Sequence, residues 1–302
     1  MRWLVTALVS ALVIGACSSG PGAVSPVGTS VTSDATVGSR SSLPAVTTGN
    51  PENIAYGSDP SQFGQLWRPA DTSTPAPVVV LIHGGFWRKQ YGLDLMDGLA
   101  ADLITRGFAV WNIEYRRVGQ DGGGYPGTLT DVAAAIDALA GFAGDRDLDL
   151  TDVVFVGHSA GGQLALWAAG RAALPAGAPG AQPVVSPRLA IGQGPVVDLV
   201  AGDQQGLGGG AVTDFIGGPA DEFPDRYAIA SPSTVSGVPL AIVRGTEDHI
   251  VPAVFTLPAD PAQAALISVV DVDGADHFAL IDPVSRAWQA VIALIGGSSV
   301  TG

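Results

Sequence analysis

Three features of the sequence predict an α/β domain with a mostly parallel central sheet, helices on both faces and a small cap or none. Short β-branched runs recur from about residue 52, they close on glycine-rich or polar turns, and helical patterns alternate with them. Strands that read as unbroken apolar runs are covered on both faces, and alternation with helices gives a parallel sheet.

Pro77 to Ile82 is the first such run and stops at Gly84-Gly85; Phe108 to Ile113 is the next and stops at Glu114-Tyr115-Arg116. Asp131 to Leu139 carries Val132, Ile136 and Leu139 at helical spacing and precedes a third strand, Val153 to Val156. Further strands are expected at Leu189 to Ile191, Leu240 to Val243 and Ile267 to Val272, with a closing helix from about Pro283 to Ile295. Between them, residues 202 to 227 are rich in glycine, contain Phe215, Ile216 and Phe223, and read as a short lid or loop near the site. In sheets of this kind the ligand site lies beyond the carboxyl ends of the strands, so the turns after the strands are where chemistry is sought.

With 302 residues the chain holds one large core and a leader. A net charge of −14, from 14 basic against 28 acidic residues, argues against a nucleic-acid partner or a polyanionic substrate, because phosphate binding needs clustered cations. The lone cysteine, Cys17, rules out an intramolecular disulfide. Met1-Arg2 followed by the apolar run Trp3 to Ile14 has the form of a secretion signal. That run ends at Ile14-Gly15-Ala16-Cys17, which resembles the bacterial lipobox. The expectation is therefore a signal peptide over residues 1–17, a flexible Ser/Gly/Thr/Pro-rich tether over 18–51 and a folded domain over 52–302. The protein would be exported and held on the outer face of a bacterial cell membrane by a lipid, such as palmitate, on Cys17.

Gly157-His158-Ser159-Ala160-Gly161 follows a strand and opens a helical run, the context required of a G-x-S-x-G nucleophile elbow. His83-Gly84-Gly85-Phe86-Trp87 follows another strand, and its glycines let backbone N–H groups face a developing oxyanion. A serine hydroxyl needs a base, and the base a carboxylate. Downstream of Ser159 only His249 and His277 remain. His277 follows the run Ile267 to Val272, and Asp248 follows Leu240 to Val243, which favours His277 as base over His249 and Asp248 as acid over Glu247 or Asp276. Phe86 and Trp87 either pack in the core or border a pocket; Trp87 and Phe215 are the candidate pocket residues.

Taken in order, HGGFW, EYRR (Glu114 to Arg117), GHSAGG, GTEDHIVP and GADHF resemble the esterase branch of the α/β-hydrolases that includes kynurenine formamidase-like and hormone-sensitive-lipase-like enzymes. The resemblance covers roughly residues 52 to 296, and Phe86 in place of a third loop glycine fits the HGGxW variant. It implies an α/β-hydrolase fold and a serine hydrolase with the triad Ser159, Asp248 and His277. The implied oxyanion donors are the backbone N–H groups of Gly85, Phe86 and Ala160. Short-chain or aryl carboxylic esters are the expected substrates, cleaved through an acyl-enzyme. An arylformamidase is the alternative; a serine peptidase or a silent surface binding protein ranks below it. The chemistry requires no metal or organic cofactor, and no obligate protein partner is evident from the sequence.

Overall fold

The computed structural model describes residues 50–71 and 73–297. The expectations for residues 1–17, for Cys17 and for nearly all of the tether lie outside the described residues.

Eight strands form one sheet: β1 (Glu52–Ala55), β2 (Phe63–Trp67), β3 (Ala76–Ile82), β4 (Ala109–Ile113), β5 (Leu148–His158), β6 (Leu189–Gln193), β7 (Leu240–Gly245) and β8 (Ile267–Val272). The helices are α1 (Asp97–Thr105), α2 (Gly127–Asp137), α3 (Leu139–Phe142), α4 (Ala160–Ala169), α5 (Leu199–Gln204), α6 (Leu207–Ile216), α7 (Pro224–Ala230), α8 (Pro261–Ala264) and α9 (Arg286–Ile295). Spatial order in the sheet is β1-β2-β4-β3-β5-β6-β7-β8. Only β1–β2 and β2–β4 pair antiparallel; every pairing from β4 onward is parallel.

Period-two alternation explains why the strands read as unbroken apolar runs. Val78, Val80 and Ile82 of β3 join Trp111, Phe155 and the inner faces of α2 and α4 on one side of the sheet. Val79 and Leu81 join Val110, Val154, Val156 and the inner faces of α1 and α9 on the other. Two tryptophans fasten these layers. Trp111 Nε1 donates to Ala135 O in α2 at 2.8 Å, and Trp288 Nε1 of α9 donates to Asp102 Oδ2 of α1 at 2.6 Å.

The structure extends the sequence reading at three places. β1 and β2 add an antiparallel edge; β1 carries no apolar period and is largely exposed, while β2 is only five residues long with Gly64 and Leu66 facing inward. β5 begins at Leu148, since its polar first half pairs with Ala76 and Pro77 ahead of a register shift. α9 begins at Arg286 rather than Pro283, because the Ser285 side chain caps the helix by accepting from Trp288 N.

The chain runs from β3 outward to β4 and returns to β5 on the opposite side of β3, so the strand order reverses between β3 and β5. The carboxyl ends of β3, β5, β6, β7 and β8 then stand side by side. His83, Ser159, Gly194, Asp248 and His277 follow those five ends in that order.

Candidate active site

Ser159 occupies the turn between β5 and α4 with φ 55° and ψ −121°, a backbone region that disfavours any side chain. The turn is tight enough to demand glycine on both sides. A Cβ on Gly157 would collide with Gly161 O, and one on Gly161 would collide with Ile82 O and His83 O. The Ser159 N–H donates to Gln193 O at 2.8 Å, which ties the elbow to the end of β6.

Asp248 and His277 meet across the ends of β7 and β8: His277 Nδ1 lies 2.6 Å from Asp248 Oδ2. The other carboxylate oxygen accepts from Ile250 N at 3.0 Å and Val251 N at 2.8 Å, so the acid is fixed by its own loop. Burial alone would raise the Asp248 pKa, but the His277 and backbone hydrogen bonds outweigh it and hold the carboxyl below its usual range. A carboxylate at Nδ1 places the ring proton there and leaves Nε2 as the free acceptor, the tautomer a general base requires. His249 and Glu247 lie out in solvent, at 85% and 62% side-chain exposure, and the Asp276 carboxylate accepts from the amides of Phe278 and Ala279.

The His158 ring, next to Ser159 in the chain, lies against His277. It lies 4.5 Å, centroid to centroid, from the His277 ring, and its Nε2 meets His277 O at 3.0 Å. Among the described residues Ser159 Oγ forms no hydrogen bond with the His277 imidazole, whose Nδ1 is held by Asp248. Gly194 leaves space for the pair; a Cβ there would fall 2.9 Å from Asp248 Oδ2 and 3.4 Å from His277 Nδ1.

The loop after β3 passes directly over the serine. A Cβ on Gly84 would lie 2.9 Å from Ser159 Cβ, and Gly85, Phe86 and Trp87 all have positive φ, at 107°, 53° and 54°. Among the described residues the amides of Gly85, Phe86 and Ala160 donate to no protein acceptor, which leaves them available to an oxyanion. His83 does not face the serine. Its Nε2 contacts Glu114 Oε1 at 2.9 Å, its Nδ1 contacts Gly84 O at 2.8 Å, and its ring stacks on Tyr115. Glu114 also accepts from Leu93 N, Tyr115 N and Arg117. Burial works to raise the Glu114 pKa, but His83 and Arg117 outweigh it and lower it. The EYRR segment is thus the buttress of the loop.

One expectation is corrected here and another is refined. Trp87 and Phe215 do not line a pocket: both are fully buried, stacked on each other at 4.6 Å, and the indole N–H is satisfied by Gln163 Oε1 at 3.0 Å. Residues 202–227, read as a short lid or loop, contain parts of the three short helices α5 to α7 together with a left-handed glycine turn at Gly208–Gly210. Their glycine turn lies against the Phe86 ring, and Arg88 reaches Gly209 O at 3.2 Å. The sequence reading gave no role to His158 and did not single out Gln193. Their only sequence signals are their places, beside the elbow serine and at the last residue of a strand. No group of three potential metal ligands occurs among the described residues.

Residues 65–256 match the BD-FAE family. The chain belongs to the BD-FAE family. The BD-FAE match takes in the elbow, the loop after β3 and Asp248 but ends before His277, whose place rests on geometry. Esterase LipC of Mycobacterium tuberculosis (strain ATCC 25618 / H37Rv) is 27% identical over 257 residues, covering 76% of this chain and 60% of LipC. The BD-FAE chain therefore spans about 60% of the length of that curated relative. Among solved structures, a truncated carbohydrate esterase from gut microbiota superposes with a TM-score of 0.65 at 18% identity, over 83% of this chain and 96% of the other. Esterase B from Lactobacillus Rhamnosis (HN001) gives 0.63 at 20% identity, over 82% and 84%. At these identities the likeness establishes the fold, and the fold is that of the α/β-hydrolases.

Proposed function

We propose that this chain is a carboxylic ester hydrolase acting through an acyl-enzyme. The 2.6 Å contact between His277 Nδ1 and Asp248 Oδ2, at the same end of the sheet as the elbow serine, carries this reading. His277 Nε2 takes the Ser159 proton as Oγ attacks the ester carbonyl. The amides of Gly85, Phe86 and Ala160 hold the resulting oxyanion. The intermediate collapses, His277 protonates the departing alkoxide, and the acyl group stays on Ser159. Water, deprotonated by His277, attacks the acyl carbonyl; the bond from the acyl carbon to Ser159 Oγ breaks, the acid leaves and His277 returns the proton to Ser159. Asp248 holds the ring and balances the imidazolium charge throughout.

Short-chain or aryl esters fit best, because the cap amounts to three short helices. Arylformamides are the second reading, favoured by the HGGFW loop, and a panel pairing each acyl group as ester and as formamide separates the two. Ser159→Ala is expected to cut p-nitrophenyl acetate turnover by several powers of ten, about 10⁴-fold or more; unchanged turnover would remove the proposal. Labelling by a fluorophosphonate probe excludes the silent binding protein, which has no activated serine.

We infer further, from the lipobox-like residues 14–17, that the chain is exported and anchored through Cys17. Cys17→Ser should move the protein from the detergent phase to the aqueous phase and abolish palmitate incorporation; a variant that partitions like the wild type would contradict the anchor.

A further inference from the structure

At the carboxyl ends of β5 and β6, His158 and Gln193 are direct cross-strand partners. Both are buried, and both send a side chain to the same short stretch beyond β8. His158 Nε2 meets His277 O at 3.0 Å, and Gln193 Nε2 donates to Leu280 O three residues further on. Gln193 also accepts the Ser159 N–H on its own backbone oxygen. One residue therefore touches both the nucleophile's turn and the base's turn.

We propose that His158 and Gln193 are positioning residues that clamp the His277 turn onto the sheet and so set the distance and tilt of the imidazole relative to Ser159. The proposal rests on the reading of His277 as the base. His158 acts on His277 twice, through the backbone carbonyl and through the ring face that lies against it at an interplanar angle of 48°. Among the described residues neither His158 nor Gln193 hydrogen-bonds Asp248, so the clamp is separate from the acid–base hydrogen bond.

The protonation of His158 follows from its partners. A carbonyl acceptor requires the proton on Nε2, while Nδ1 is buried, has no partner among the described residues and faces Gly84. A second proton would have no acceptor. Burial, helped by the neighbouring His277, pushes the pKa of His158 down to about 3, with Asp248 opposing and His83 adding to the effect. The ring thus stays a neutral donor at any pH where the serine can work. Gln193 Oε1 is also buried and has no partner among the described residues. An apolar pair at these two positions would avoid both unpaired atoms, so the two donors are kept for what they hold in place.

The test uses the full chain carrying His158→Phe, which keeps a ring but removes the donor; His158→Gln, whose amide N–H reaches the position of Nε2; and Gln193→Leu. Steady-state hydrolysis of p-nitrophenyl acetate is measured beside the downfield proton resonance of His277 Nδ1–H. His158→Phe and Gln193→Leu should lower kcat roughly 10- to 100-fold, the range for a base displaced by about 1 Å. KM should stay within about twofold, because neither residue touches substrate. The resonance should shift or broaden in both, and His158→Gln should restore kcat and resonance together. An unchanged kcat in His158→Phe, or a His158→Gln variant as impaired as His158→Phe while its resonance is intact, would overturn the clamp. The resonance needs no substrate. If the wild type failed to label with a fluorophosphonate, the hydrolase reading would fall, while loss of the resonance in His158→Phe would still support the clamp.

Discussion

Ser159 holds a costly backbone conformation, since a side chain at φ 55° and ψ −121° costs on the order of 1 to 3 kcal/mol. That cost separates two inactive variants. Ser159→Ala keeps a Cβ and the strain, whereas Ser159→Gly removes both. Glycine should therefore unfold at the higher urea concentration, by about 1 kcal/mol; an alanine variant as stable as glycine would place the strain elsewhere. The proposed triad of Ser159, Asp248 and His277 can be named from the sequence because each of the three follows a strand within a short motif. Trp87 and Phe215 are not, because an aromatic beside a glycine-rich loop reads equally as lining or as packing. His158 and Gln193 escape notice for a different reason: their work depends on which strands are neighbours, and sequence spacing does not carry strand order.

Among the elements, the segment Gly206–Gly210 lies against the Phe86 ring of the loop after β3. Gly206, Gly208, Gly209 and Gly210 all have positive φ, and this run replaces the helical period that would have marked α6. A Cβ on Gly208 would meet the Phe86 ring at 2.6 Å, whereas one on Gly209 would meet nothing within 4 Å. The two alanine variants therefore divide strain from contact. Both should lose about 1 kcal/mol or more of stability in urea unfolding, from positive φ alone. Only Gly208→Ala should also lower kcat, by about tenfold, through displacement of Phe86 and its amide. Equal kcat in the two would detach this turn from the oxyanion loop.

Over the whole molecule, the buried titratable groups of the site act in one direction on the acid side. The folded-state pKa values of Glu114 and Asp248 lie below their usual ones, so their contribution is complete above those values and is lost as pH falls through the lowered ones. The unfolded chain protonates His158 below about 6.5 and the folded chain only near 3, so stability also declines across that interval. Tyr56, Tyr115 and Tyr227 are shifted upward by burial, so their contribution is lost as pH rises beyond about 10. Urea midpoints should fall as pH drops from about 6.5 and go on falling below about 4, where the two carboxylates become protonated, and His158→Gln should flatten the upper part of that fall; a wild-type profile flat from about pH 6.5 to pH 3 would contradict the assignments. The parallel centre of the fold was readable because strands buried on both faces are apolar throughout, while the antiparallel edge was hidden by the exposure of β1. The stack of Trp87 on Phe215 joins the residue just past the oxyanion loop to the last turn of α6. Indole emission depends on the ring it lies against, so the difference spectrum between wild type and Trp87→Phe gives an optical signal for loop movement, readable in a stopped-flow cell while acyl transfer proceeds.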